Sequence, residues 1–183
     1  MIYNGLDVEK DAAMQVAKLM AAAARTAPKG CGADNIEVLI LDGKDKDHLA
    51  AAMREIGKDP EQDFFNRDAG NVDASHCVVM IGIKNIPLGL TGCSLCGFEN
   101  CGKMAKAGAN CAFNITDLGI AVGSAVSIAA DNRMDNRILF SAGKGAIRAR
   151  MMSEKVRVCY GIPLSTSGKS PFFDRGPGDV LID

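Results

Sequence analysis

The sequence predicts a mixed helix-and-sheet fold, α/β or α+β, organised about a central sheet. Three observations predict it. Segments with apolar residues every three to four positions alternate with short runs of Val, Ile and Leu. Two of those runs, IEVLIL and HCVVMIGI, are apolar almost throughout rather than at every second residue, as strands covered on both faces are. The most apolar helical segment, Thr116 to Ala130, carries small residues on several faces, which suits a helix packed centrally or at a subunit interface.

Taken in order, the first element is a helix over Val8 to Ala24, with Val16, Leu19, Met20 and Ala23 at i, i+3, i+4, i+7 and Asp7 as N-cap. Pro28-Lys29-Gly30 ends it. A buried strand follows at Ile36 to Leu41, closed by Asp42-Gly43. Asp47 then caps a second helix with Leu49, Met53 and Ile56 on one face, and Pro60 suits the first turn of another that carries Phe64 and Phe65. His76 to Ile83 is the second strand. After the helix at 116–130, Arg137 to Ser141 reads as a third strand, Ala146 to Met152 as a short helix and Lys155 to Gly161 as a last strand. The tail from Ser165 to Asp183 is rich in Gly, Pro and Ser.

A chain of 183 residues with no repeat or low-complexity tract is expected to form one domain, 1–183, with a sizeable core. Its formal net charge is −1, with acids and bases interspersed, which leaves no electrostatic footprint for nucleic acid or anionic lipid. The opening residues MIYNGLDVEKD are acidic where a secretory signal would be basic. A cytoplasmic protein with reduced thiols is therefore expected. The longest apolar stretch, 115–130, contains Asp117 and falls short of the ~20 uncharged residues of a membrane span, so no membrane partner is expected.

Four cysteines, Cys93, Cys96, Cys101 and Cys111, crowd the segment GCSLCGFENCGKMAKAGANC with spacing C-x2-C-x4-C-x9-C. Cys31, Cys77 and Cys159 are scattered, and the odd total of seven argues against a disulfide framework. Thiolates are soft ligands for iron-sulfur clusters and zinc, and three within nine residues can wrap one face of a compact inorganic core. Gly92, Gly97 and Gly102 stand beside ligand cysteines, where a loop that curls can aim N–H groups at sulfur. A structural zinc site more often uses two C-x2-C pairs or histidine, and neither His48 nor His76 lies near this segment in sequence. A four-iron cluster, zinc and free redox-active thiols are the three readings, with the cluster leading. Cys77 and Cys159 lie in apolar strands as core residues, while Cys31, between two glycines, is the exposed candidate.

The stretch Cys93-x2-Cys96-Gly97-Phe98-x2-Cys101-x3-Ala105 is similar to the four-iron segments of corrinoid iron-sulfur proteins and electron-transport complex subunits, which share a C-x2-C-G-x3-C-x3-A core. Cys111 comes sooner than those families place their fourth cysteine. A second resemblance spans most of the chain. AAAARTAPKGCGADNIEVLIL resembles the helix, alanine-proline turn and strand of nitroreductase-type flavoproteins, Asp117 to Ala130 their interface helix, Ile138 to Gly143 their next strand and flavin-facing turn, and VRVCYGIP their last strand. Together these features resemble the bacterial and archaeal proteins described as containing a ferredoxin domain.

The resemblance implies an α+β fold with a central mixed sheet flanked by helices, a homodimer, and a cluster-binding loop at 92–112 with Cys93, Cys96, Cys101 and Cys111 as ligands. It also implies an FMN site at Pro28, Lys29, Gly143, Lys169 and Arg175. The sequence departs from the flavoprotein pattern at Lys29, where serine is usual, and at Gly32 to Ile36, which replaces an asparagine-glutamine-proline-tryptophan run. The leading function is an oxidoreductase passing electrons to a flavin or small substrate. A non-catalytic electron-transfer or redox-sensing protein working with a redox partner, and a zinc-stabilised binding module, are the alternatives. Gly161 to Ser170 ends in GKS, but six residues separate its glycines where a P-loop has four. No catalytic acid or base stands out.

Overall fold

Strand β2 (Cys77–Lys84) is the axis of the molecule, and every residue from Cys77 to Ile83 is buried. This is a computed structural model, and it describes residues 1–173. β2 pairs antiparallel with β1 (Ile36–Leu41) on one side and with β4 (Val156–Ser165) on the other. The two-residue β3 (Asp135–Asn136) lies beyond β4, giving the order β1-β2-β4-β3.

Because side chains alternate across a strand, β2 feeds two cores at once. Cys77, Val79, Ile81 and Ile83 face α1 (Gly5–Thr26) and α5 (Ala112–Asp131). Val78 and Met80 face α2 (Gly43–Ile56), α3 (Phe64–Asp73) and α6 (Phe140–Arg148). A run with no polar face is what such a strand requires.

The α+β class is as the sequence predicts, but the sheet, expected to be mixed, is antiparallel at every pairing among the described residues. The reason lies in the connections. Between β1 and β2 the chain makes two helices, out and back, so Val78 near the start of β2 lies beside Leu41 at the end of β1. One crossover helix would have made the strands parallel.

The expected strand at Arg137 to Ser141 does not form. Only Leu139 bridges β4, to Gly161, and Phe140 opens α6, which takes the place of the helix expected at 146–152. RILF has strand-like residues, yet SAGKGA after it is small enough for a helix to lie flat on β4. A Cβ at Gly143 would stand 1.7 Å from the Cys159 carbonyl oxygen. Buried Ser141 pins α6 to α3 by donating to Asp68 Oδ2 at 2.6 Å, while Arg67 holds the other oxygen of that carboxylate.

Helix starts also shift. Asn4, not Asp7, caps α1 through its side chain, α2 begins after Asp42 rather than Asp47, and α5 begins at Ala112. Pro60 opens a 3-10 turn, Pro60–Gln62, ahead of α3. Among the described residues α5 alone is long and apolar enough to cross a membrane. It is nevertheless the inner helix of one layer, with Leu118, Ala121, Ala125 and Ala129 fully buried.

Candidate metal centre

The chain leaves β2 at Lys84 and reaches α5 at Ala112, and the cysteine loop fills the interval. Both ends of the loop are clamped. Asn85 donates to the Ala109 carbonyl at 3.1 Å and accepts from the Cys111 N–H at 3.3 Å. Asn114, buried in the first turn of α5, donates to the carbonyls of Lys84 and Ile86 at 3.1 and 3.0 Å. These bonds fix the last cysteine against the end of the sheet.

Within the loop the backbone turns sharply. Ser94 has φ of 42°, and Gly97, next to Cys96, has φ of 82° with open space where a Cβ would stand. The Gly97 N–H closes this turn onto the Ser94 carbonyl at 2.9 Å. Cys101 opens the short helix α4 (Cys101–Lys106), capped by Asn100, whose side chain accepts from the Lys103 N–H at 3.0 Å. Buried Met104 anchors α4. Cys111 is the N-cap of α5, so the positive end of a 20-residue helix dipole lies beside it.

These turns bring all four cysteines to the wall of one pocket. Leu95, Phe98, Met104 and Phe113 make most of the remaining lining apolar, with Ser94 and Asn100 as its polar members. Exposure is graded around it: Cys93 is exposed, Cys96 and Cys101 are half-buried and Cys111 is buried. An apolar shell limits water at a metal site and lowers the local dielectric.

The spread of the ligands distinguishes two occupants. Among the described residues no three His, Cys, Asp or Glu side chains are grouped to share one metal ion. Thiolates on a single tetrahedral zinc, each ~2.3 Å from it, must crowd within roughly 4 Å of one another. In a four-iron cluster each thiolate has its own iron, so the sulfurs surround a volume. Four thiols on the wall of one pocket are the donor set that a four-iron cluster takes.

The remaining cysteines stand apart. Cys77 and Cys159 are buried in β2 and β4, where burial pushes each thiol from 9.0 up to about 12. Nearby Asp42 and Glu37 add to the respective shifts. Cys31 is exposed in a 3-10 turn, Gly30–Gly32, with φ of 55°. That turn is tied to α5 by the Gly30 N–H, which donates to Asp117 at 2.9 Å.

Of the residues named for flavin, Lys29 and Gly143 lie in different layers. The Lys29 ammonium caps the end of α1, donating to the Arg25 and Ala27 carbonyls at 2.7 Å each, beside exposed Pro28. Gly143 lies across the sheet, in the layer of α2, α3 and α6, pressed on β4. Lys169 follows β4, and Arg175 lies outside the described residues. Sequence reasoning passed over Asn85, Asn114 and the cavity wall at Phe113. A polar residue on the buried period of an apolar helix was the available signal for Asn114, as for Asp117.

Comparison with known proteins agrees with the resemblance in family and in fold. The profile of a family described as "Uncharacterized protein containing a ferredoxin domain" matches residues 107–175. A protein of Archaeoglobus fulgidus, itself described only as uncharacterized, is 40% identical over 185 residues, covering 97% of this chain and 99% of its own. Among solved structures, a nitroreductase with bound FMN from Desulfitobacterium hafniense superposes with a TM-score of 0.58 at 14% identity, over 92% of this chain and 87% of that one. Nitroreductase CinD from Lactococcus lactis, in complex with nicotinic acid, gives 0.59 at 11% identity over 93% and 88%. At such identities the likeness concerns the fold alone.

Proposed function

The chain belongs to this family of ferredoxin-domain proteins, built on a nitroreductase-like fold, and from that premise we propose that it is an iron-sulfur redox protein. Its ligands are Cys93, Cys96, Cys101 and Cys111, and the group they hold is a four-iron cluster. The observation that carries this reading is the convergence of those four side chains on one apolar-lined cavity. When bound, such a cluster supplies one-electron transfer at a potential set by burial and by hydrogen bonds to sulfur.

The protein's own residues have separable tasks in this reading. The turn at Ser94–Gly97 presents Cys93 and Cys96 from one side, and α4 presents Cys101. Asn85 and Asn114 hold Cys111 in place from the sheet. Phe98, Met104 and Phe113 keep the cavity dry. Among the described residues all seven cysteines are free thiols, which suits a reducing cytoplasm.

An oxidoreductase that passes electrons to a flavin or a small substrate is the fuller form of this function. FMN in the Desulfitobacterium hafniense protein supports it through the fold, while the occupied Lys29 ammonium speaks against a phosphate contact at that residue. A homodimer is part of the same reading, because α5 leaves Ile115, Gly119, Ile120 and Gly123 exposed along one side. Gly123→Arg should then convert a dimer in sedimentation to a monomer. Sedimentation of the unaltered chain as a monomer would remove that part.

Anaerobic purification with iron, sulfide, zinc and flavin analysis tests the function. About four irons and about four sulfides per chain, with a brown colour, are expected. One zinc without sulfide would overturn the reading. Cys96→Ser should lose its iron and keep its circular dichroism and melting cooperativity, since neither core draws on the loop. Loss of the fold in that variant would contradict this division of labour. Released FMN in addition to iron would favour the oxidoreductase over a simple electron carrier.

A further inference from the structure

The cysteine cavity has a second opening beside it. Met104 lines the cavity on one side and a neighbouring surface groove on the other. The floor of that groove is Ile86, Pro87, Met104 and Ala105, and one bank carries Glu154, Lys155 and Arg157. Lys106 projects from α4 next to Ala105. Lys106, Lys155 and Arg157 are exposed, and no acidic side chain pairs with them among the described residues. By contrast Lys103 is neutralised by Glu99 and Lys84 by Glu37.

Large apolar side chains stand exposed on the same part of the chain. Ile86, Leu90 and Leu95 are 42%, 40% and 59% exposed within ten residues of sequence. An apolar centre with a polar, charged rim is the anatomy of a protein-docking face, and an exposed apolar cluster in a soluble protein calls for an occupant. Here the groove carries two unpaired cations, Lys155 and Arg157, against one acid, Glu154, with Lys106 next in sequence to its Ala105, while the whole chain has a net charge of −1. Positive charge is therefore concentrated locally and not a general property of the surface. A face of this sign recruits an acidic partner by steering it and fixing its orientation.

We propose that this face, the groove of Ile86, Pro87 and Ala105 with Lys155 and Arg157 on its bank and Lys106 beside it, together with Leu90 and Leu95 of the adjoining cysteine pocket, docks an acidic protein electron carrier of the ferredoxin kind. The assignment of an electron carrier rests on the iron-sulfur reading above. The docking itself rests on apolar exposure and charge. Proximity gives it purpose, because Met104 lines both the groove and the cysteine cavity.

Calorimetric titration with an acidic [2Fe–2S] ferredoxin is the test, on the purified full chain at low and at moderate salt, with iron and sulfide assayed on each preparation. Binding is expected at low salt and should weaken roughly tenfold or more at moderate salt. The combined variant Lys106→Glu, Lys155→Glu, Arg157→Glu should weaken it at least as much. The same charge change at Lys10, Lys18 and Arg133, on α1 and past the far end of α5, should leave it unaltered. Basic cytochrome c should not bind. Absence of binding to ferredoxin, an equal loss in the distant variant, or equal binding to cytochrome c or duplex DNA would each overturn the proposal. Binding by a preparation free of iron and sulfide would sink the cluster while sparing the docking face, and a loaded preparation that fails to bind would do the reverse.

Discussion

At Gly143 a single methyl group has nowhere to go. An added Cβ would meet the Cys159 carbonyl oxygen at 1.7 Å and its carbon at 2.3 Å, and backbone cannot swing aside as a side chain can. Gly143→Ala is expected to cost more than ~3 kcal/mol in urea denaturation, at or beyond the upper range for overpacking. Gly119→Ala, on an α5 face where nothing lies within 4 Å, should cost nothing and gain up to ~1 kcal/mol from helix propensity in a monomer. In the sequence Gly143 is read as the end of a flavin-facing turn, not as a packing glycine. Only the packing of α6 on β4 shows why that methyl is forbidden.

The buried thiols behave as proton traps. Native Cys77 and Cys159 hold their protons up to about pH 12, whereas in the unfolded chain each returns to an ordinary value near 9. The unfolded state therefore sheds protons first. This contribution to stability is whole below pH 9.0 and declines toward pH 12, by at most ~1.4 kcal/mol per pH unit for each thiol. Denaturation midpoints between about pH 8 and about pH 11 should fall less steeply in the Cys77→Ala, Cys159→Ala double variant, and equal slopes would refute the effect. At about pH 8, iodoacetamide should label exposed Cys31 and spare this pair until the chain unfolds.

Elements differ in how much of their placement is local. β1 was legible to the residue, because IEVLIL is bounded by Asn35 and Asp42-Gly43 and no alternative period competes. α6 was not, since RILF has strand propensity and only the tertiary surface of β4 converts the following residues into a helix. The start of α5 belongs to the same class. Asn114 there satisfies two carbonyls of the chain leaving β2, thirty and twenty-eight residues distant in sequence. Asn114→Ala strands those carbonyls and should cost ~1–3 kcal/mol, with faster amide exchange around Ile86 as the local signature. Unchanged exchange there would mean that the clamp is not what holds the loop.

Seen as a whole, the molecule is one sheet between two helical layers, and β2 serves both. Met80→Ala and Ile81→Ala remove buried side chains from opposite layers, each at ~2–5 kcal/mol. Both should lower the midpoint of one shared unfolding transition, because a strand common to two cores couples them. Two separable transitions would contradict that coupling. The four cysteines were legible as a candidate ligand set from their spacing. Their common cavity was not, because it depends on Ser94 and Gly97 turning the chain and on Asn85 holding its far end. Of the residues read from resemblance to flavoproteins, the Lys29 ammonium closes α1 and Gly143 packs on β4.

Cys111 ends the loop and begins α5 in the same residue. Whatever grips its sulfur therefore pulls on the first link of the innermost helix, beside the face that α5 leaves exposed. In the proposed cluster-bearing dimer, gain or loss of the centre would be felt as a tightening or fraying of that helix, and its redox state would reach the second copy along the helix axis without any moving lid.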